Sequence, residues 1–470
     1  MPAETFLHSR WIIPIVPHKQ VLEQHSLVME DGLITALLPT RDARQLARQH
    51  HAREIELPHH ALLPGLVNVH THLAMNLLRG VADDLALMSW LQEHIWPLEN
   101  QFLSDAFVFD GSLLACGELI KSGVTCFNDM YFFPDATLRA AEQAGLRASI
   151  GLTVIDFPTP WGKGAEDYLR KGERLHEEWH IRYGERSALA RSLRNELNLL
   201  DEWHGNPRMS FMLAPHAPYT VSDAPLLHIR ELAQKLGLGI HMHVHETTFE
   251  VQEAMRLHAE RPLARLDRLG LLNERFLAVH MTQLQDEEMA MLAERGVHIA
   301  HCPESNLKLA SGMMPLARAR AQGINVGIGT DGAASNNDLD LLGETRTAAL
   351  LAKGLSGDAA AIPAAEALHM ATLGGARALG LDQRIGSLQV GKSADLIAMD
   401  LAGIETQPLF DPIAQIIYAA SRTHITHSWV AGRMLMNERR LLTLNEDDLL
   451  ANAQQWQASL LSAKNPVNPT

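Results

Sequence analysis

The sequence predicts an α/β protein: a parallel (β/α)8 barrel of the TIM type, joined to a small composite β-sandwich domain to which both ends of the chain contribute. Three observations predict it. Apolar strand-like runs alternate with helical stretches through the middle of the chain, these runs number eight, and glycine-punctuated β-rich segments flank them at both ends. With 470 residues, 46% hydrophobic and 20% charged, the chain can bury a large core and is neither disordered nor fibrous.

In chain order, Ile12 to about Pro64 reads as short strands with turns, and LVMEDGLITALLP sets Asp31-Gly32 between alternating apolar stretches, a hairpin signal. The barrel strands follow as ALLPGLVNVHTH, GVTCFNDM, RASIGLTVI, RMSFMLAPHA, GIHMHVH, RFLAVHM, GVHIAHC and INVGIGTD. Crossover helices such as DAPLLHIRELAQKLG and DEEMAMLAERG start at Asp223 and Asp286 and stop at Gly237 and Gly296. An open doubly wound sheet is the other arrangement of such units, but no G-x-G-x-x-G opens a helix here. The segment Asp156 to Trp203 is rich in both charge signs and reads as an exposed helical insertion near the barrel mouth. Near the C-terminus GSLQVGKSADLIAMD and HSWVAGRMLMNERRLL return to short β-rich stretches, with turns at Gly386, Gly391 and Gly432. The expected boundaries are 1–61 and 381–442 for the two halves of the β domain, 62–380 for the barrel, and 443–470 for a terminal helix and tail.

Lys and Arg number 40 against 55 Asp and Glu, a net charge of −15 that opposes attraction to nucleic acid or anionic membranes. No apolar run reaches the roughly 20 residues of a membrane span. The opening MPAETFLHSRWIIPIVPHKQ has no secretory pattern, and the cysteines Cys116, Cys126 and Cys302 are too few for a disulfide framework, so a cytoplasmic protein is expected. The histidine count is unusually high, with 25 in the chain.

Position gives these histidines meaning. His70 and His72 end the first barrel strand, and residues two apart in a strand face one side, toward the C-terminal rim where barrel enzymes place their chemistry. The fifth strand ends in His241-Met242-His243-Val244-His245-Glu246, the sixth in His280, and the eighth in Asp331. Imidazoles and carboxylates at four strand ends are expensive to bury unless something satisfies them together, and a divalent metal does so. Three histidines and an aspartate suit zinc, and also iron or manganese. Such a metal lowers the pKa of a bound water to about 7. Glu246, just beyond the strand, is placed to move protons between that water and a substrate. Spacing alone leaves open which of His241, His243 and His245 is the ligand. It also leaves open whether His280 is a fourth histidine ligand or a group that orients water and stabilises charge. The fourth strand has no lysine to bridge a second ion, which favours one metal.

With HTH, HVHE, AVH and GTDGAASNN in this order, the chain resembles the amidohydrolase superfamily. Within it the likeness is to deaminases of 5'-methylthioadenosine and S-adenosylhomocysteine, with chlorohydrolase-like relatives, over roughly Leu62 to Arg440. The resemblance implies His70, His72, His243 and Asp331 as ligands, Glu246 as the proton shuttle, His280 as the water-orienting group, and Asp331 also as a base. It implies that His216, in APHAPYTVS, and Glu99, in IWPLENQF, bind the nucleoside, Glu99 through its ribose hydroxyls. Trp90 and Trp96 could wall the base, and Asn306 in HCPESNLKL would fix a loop. His241 and His245 are left as structural neighbours. The charged insertion departs from the pattern, because Arg170, Arg182 and Arg191 do not align with arginines that meet an amino-acid carboxylate in relatives.

The function expected is metal-dependent hydrolytic deamination of an adenine nucleoside: 5'-methylthioadenosine, and with less support adenosine or S-adenosylhomocysteine. The second reading keeps the site and changes the leaving group, to a chlorohydrolase on triazines or a guanine-type deaminase. A third, a metal-stabilised binding protein without catalysis, has no use for Glu246. A small-molecule substrate and a homo-oligomer, dimer or tetramer, complete the expectation.

Overall fold

The computed structural model describes residues 4–183 and 208–464. Its eight parallel strands run in unbroken sequence order around the barrel: Leu66–Thr71, Val124–Tyr131, Arg147–Val154, Met209–Pro215, Gly239–Val244, Phe276–His280, His298–His301 and Val326–Ile328. They fall on the eight runs expected, except that Ala61–Pro64, read as the opening of the first barrel strand, ends a strand of the second sheet instead; they read as nearly continuous apolar stretches because both faces of a parallel barrel strand are covered. The helices expected at Asp223–Leu236 and Asp286–Arg295 form and end on left-handed Gly237 and Gly296.

The eighth strand is only three residues long, and side chains complete its junction with the first. Asn68 donates its amide to Thr330 Oγ1 at 2.8 Å and accepts the Thr330 N–H at 3.1 Å, and Asp331 N–H donates to the His70 carbonyl at 3.0 Å. Gly327 and Gly329 allow this approach: a Cβ would meet Val69 Cγ1 at 2.8 Å in the first case and His70 Cβ at 2.9 Å in the second.

A second, nine-stranded mixed sheet joins the two ends of the chain. Arg53–Pro64, from the N-terminal half, pairs antiparallel with Leu396–Asp400 from the C-terminal half. The expected hairpin is formed by His25–Glu30 and Leu33–Pro39, with Asp31 at φ +51° and Gly32 at φ +78°. One element departs from the reading of short strands alone: Thr40–His50 is helical, burying Ala43 and Ala47 one turn apart against the sheet. The charged insertion starts with irregular chain over 156–164 and continues as a helix, Ala165–Tyr183; its remainder, 184–203, lies outside the described residues. Glu446–Lys464 forms the terminal helix. Cys116, Cys126 and Cys302 are buried and unpaired, and among the described residues no helix is long and apolar enough to cross a membrane.

Candidate active site

The C-terminal ends of the first, fifth, sixth and eighth strands bring His70, His72, His243, His280 and Asp331 together. Ligand atoms of His70, His72 and His243 lie within 4.8 Å of one another, and so do those of His70, His280 and Asp331. Asp331 Oδ1 is 3.4 Å from Nε2 of both His70 and His72. Glu246 Oε1 faces His280 Nε2 at 3.6 Å.

Hydrogen bonds on the far ring nitrogens set the imidazole tautomers. His72 Nδ1 donates to the Met130 carbonyl, His243 Nδ1 to the His216 carbonyl at 2.7 Å, and His280 Nδ1 to Asn306 Oδ1 at 2.9 Å. Each Nε2 is thereby left with its lone pair turned inward. His70 Nδ1 meets His241 Nε2 at 2.9 Å, and its own Nε2 is buried with no hydrogen-bond partner. Burial disfavours the charged ring at four of these positions, with His70 pushed down to about 4, His216 to about 3, His243 well below its usual value and His280 lowered. A cluster of neutral nitrogens with one orphaned donor atom beside a carboxylate fits a divalent metal, because a cation alone satisfies all of them at once.

Four non-glycine residues at these strand ends adopt positive φ: His245 at +53°, His280 at +72°, Met281 at +54° and Asp331 at +63°. Such strain persists only where surroundings enforce it. It also corrects the parity argument for the fifth strand. His241 and His243 do share the inward face, but the chain turns at His245, whose ring is buried elsewhere with Nδ1 3.7 Å from Glu288. His241 sits one layer deeper, against His70 and Asn128.

Above the cluster opens a cavity of about 350 Å³ lined by His72, His216, His243, Glu246, His280 and Asp331 at its floor. That volume suits a small-molecule ligand. Glu99 lies in its wall, buried, accepting the Tyr131 hydroxyl at 2.6 Å. Burial pushes Glu99 up to about 7 and Glu246 up to about 8, so Glu246 keeps its proton at neutral pH. Leu87, Trp90, Leu91, Trp96, Phe132, Ile155 and Phe157 make most of the remaining wall apolar, with Trp96 and Phe157 edge to face at 5.9 Å and Asn100, Thr153, Thr159 and Ser335 as its polar members. Phe157 to Pro160 come from the start of the charged insertion, which thus lines the site. Among the described residues no lysine or arginine lines it. Arg170 pairs with Asp167 and is exposed, while the Arg182 side chain and Arg191 lie outside the described residues.

Ser305 and Asp129 escaped sequence reasoning, and Asn306, expected to fix a loop, holds a site histidine. Ser305 donates to Asp331 Oδ2 at 2.6 Å, and Asn306 holds His280, so HCPESN serves two neighbouring strand ends. Asp129 accepts Thr71 Oγ1 at 3.0 Å and the Leu73 N–H at 2.8 Å, fixing the turn after His72. Nothing in their spacing marks these contacts, which form only between strands.

Comparison with known proteins agrees with this geometry. The sequence profile of the amidohydrolase family matches residues 61–435. A 5-methylthioadenosine/S-adenosylhomocysteine deaminase of Teredinibacter turnerae is 43% identical over 97% of each chain. The crystal structure of an adenosine deaminase from Xanthomonas campestris with bound zinc superposes with a TM-score of 0.90 at 46% identity, covering 98% of this chain and 99% of that one. Atrazine chlorohydrolase from Arthrobacter aurescens, complexed with zinc, shares the fold at a TM-score of 0.84 and 21% identity, covering 96% of this chain and 99% of that one. The chain therefore belongs to the amidohydrolase family, and its catalytic class is that of a hydrolytic deaminase.

Proposed function

We propose that the enzyme deaminates 5'-methylthioadenosine to the inosine-type nucleoside and ammonia, with adenosine as a weaker substrate. One observation carries the reading: a single cavity holds Glu246 and Asp331 at its floor and Glu99 in a mostly apolar wall. The floor suits attack on an amidine carbon, the carboxylate suits two neighbouring ribose hydroxyls, and the apolar wall suits a purine and a methylthio group.

His70, His72, His243 and Asp331 would hold the metal, which we assign as zinc. When bound, such an ion acts as a Lewis acid and lowers the pKa of a coordinated water to about 7. In the net reaction a C–O bond forms at the amine-bearing ring carbon and the C–N bond breaks. Glu246, protonated at neutral pH by its burial, delivers its proton to the adjacent ring nitrogen. Asp331 takes one proton from water and passes it to the departing amine, and as the C–N bond breaks and the C=O bond forms, the second water proton leaves the new hydroxyl and restores the Glu246 acid. His280, its Nδ1–H held by Asn306, offers the Nε2 lone pair as the hydrogen-bond acceptor that orients the attacking water. His216 and Glu99 orient the nucleoside.

The apolar wall separates candidate substrates. An amino-acid tail brings a carboxylate and an ammonium group, and the described cavity lining offers no lysine or arginine to the first. Catalytic efficiency should therefore favour 5'-methylthioadenosine over S-adenosylhomocysteine by at least about tenfold. Product release from metal-replete enzyme, ammonia from these nucleosides and guanine and chloride from chlorotriazines, tests the reading. Release from 5'-methylthioadenosine supports it, whereas turnover of a triazine or guanine alone replaces it with the other leaving groups. Chelator dialysis should abolish turnover and added zinc restore it. Cytoplasmic residence, supported by the unpaired buried cysteines, and assembly as a dimer or tetramer belong to the same proposal.

A further inference from the structure

The fifth barrel strand leaves its ladder through His245, whose left-handed φ of +53° turns Glu246 into the cavity. Side chains grip this turn from both sides. Glu250, only 3% exposed, accepts the His245 N–H at 2.9 Å on one carboxylate oxygen and the Glu246 N–H at 2.8 Å on the other. Thr282, two residues after His280, donates its N–H to the His245 carbonyl at 2.9 Å and its hydroxyl to the Glu246 carbonyl at 2.8 Å. All four backbone polar groups of His245 and Glu246 are thus satisfied. Glu250 lines no part of the cavity and has no place in the reaction proposed above.

We propose that Glu250 and Thr282 are positioning residues that fix the turn from which Glu246 reaches the substrate's ring nitrogen. The inference rests on the proton-delivering role given to Glu246. Two divergent N–H groups match the two oxygens of the Glu250 carboxyl, each of which accepts one, whereas an amide turns an NH2 donor toward one of the two N–H groups. The strained turn would then relax, and a displacement of about 1 Å at a reacting group can lower the rate by about a hundredfold.

The test is a double-mutant cycle read by binding. A 1,6-dihydro-6-hydroxypurine riboside carries the tetrahedral carbon and ring N–H that Glu246 would meet, so its dissociation constant reports that contact even in inactive protein. It is measured on zinc-loaded wild type, Glu250→Gln, Glu246→Gln and the double variant, with metal counted per chain. Glu250→Gln should weaken binding about 10- to 100-fold, leave inosine binding within about threefold, and keep its zinc. In the Glu246→Gln background the same change should weaken it by less than about twofold, since its effect passes through Glu246. An equal loss in both backgrounds, wild-type binding in Glu250→Gln, or loss of the metal overturns the proposal. Thr282→Val, isosteric and lacking only the hydroxyl, runs through the same cycle and decides the matter if Glu250→Gln does not fold. Wild type that neither binds the riboside nor releases ammonia from 5'-methylthioadenosine overturns the deaminase reading itself. Wild type that does both, with an additive cycle, overturns the positioning role alone.

Discussion

Glu246 and Glu99 are both buried carboxyls in one cavity, yet their surroundings give them different work. Glu246 is raised to about 8 by burial and by the charge of Asp331, so it enters the reaction carrying a proton. Glu246→Gln keeps the shape and removes the proton, and should retain the metal while losing turnover by about 10²- to 10⁴-fold, measured as kcat with metal content per chain. Glu99 is raised to about 7 by burial, offset in part by the Tyr131 hydroxyl. An acid raised in this way is charged only above that value and takes up its proton as the pH falls through it. KM for 5'-methylthioadenosine should therefore rise as the pH is lowered from about 8 to about 6, and Glu99→Gln should flatten this dependence. A KM that falls with acidification would remove Glu99 from ribose recognition.

At the scale of elements, the site depends on how closely the short eighth strand approaches the first. Gly329 makes that approach possible, since a Cβ there would lie 2.9 Å from His70 Cβ and 3.0 Å from Cys302 Sγ. Gly329→Ala should push the first strand outward, destabilising the protein by about 1–3 kcal/mol in denaturant unfolding. It should also weaken zinc in a chelator competition, because His70 moves with the strand. A variant with wild-type zinc affinity would show that the strand absorbs the methyl without moving its ligand. The strand-end residues were legible because a strand displays alternation along its own sequence. Ser305, Asp129 and the hold of Asn306 on His280 were not, because each acts across to a neighbouring strand or turn.

At the scale of the molecule, a buried ion pair ties the barrel to the composite sheet. Arg147, opening the third barrel strand, donates Nε to Asp395 Oδ2 at 2.8 Å and Nη2 to Asp395 Oδ1 at 3.1 Å, and both side chains are about 1% exposed. Asp395 immediately precedes Leu396–Asp400, a central strand of the sheet, and also accepts the Ala431 N–H at 2.9 Å. Asp395→Ala strands the guanidinium in a dry interface and should destabilise the protein by about 3–5 kcal/mol. Its thermal midpoint should fall, while kcat per metal-loaded folded chain stays near wild type. A midpoint that does not move would mean that water replaces the carboxylate.

The sequence by itself determined the eight-stranded barrel and the sharing of one small sheet by the two chain ends, because period, strand count and turn glycines are local signals that survive folding. It also identified the strand-end histidines, Glu246 and Asp331 as a set, since polar groups at the ends of apolar runs stand out without coordinates. Only the tertiary structure decided that His245 turns away while His241 and His243 stack in layers, since a single left-handed residue breaks an alternation that spacing alone would continue. It likewise decided that the opening of the charged insertion walls the cavity, and that Glu250 and Thr282 grip the turn bearing Glu246. Those contacts join segments far apart in the chain, and their geometry exists only once the barrel has closed.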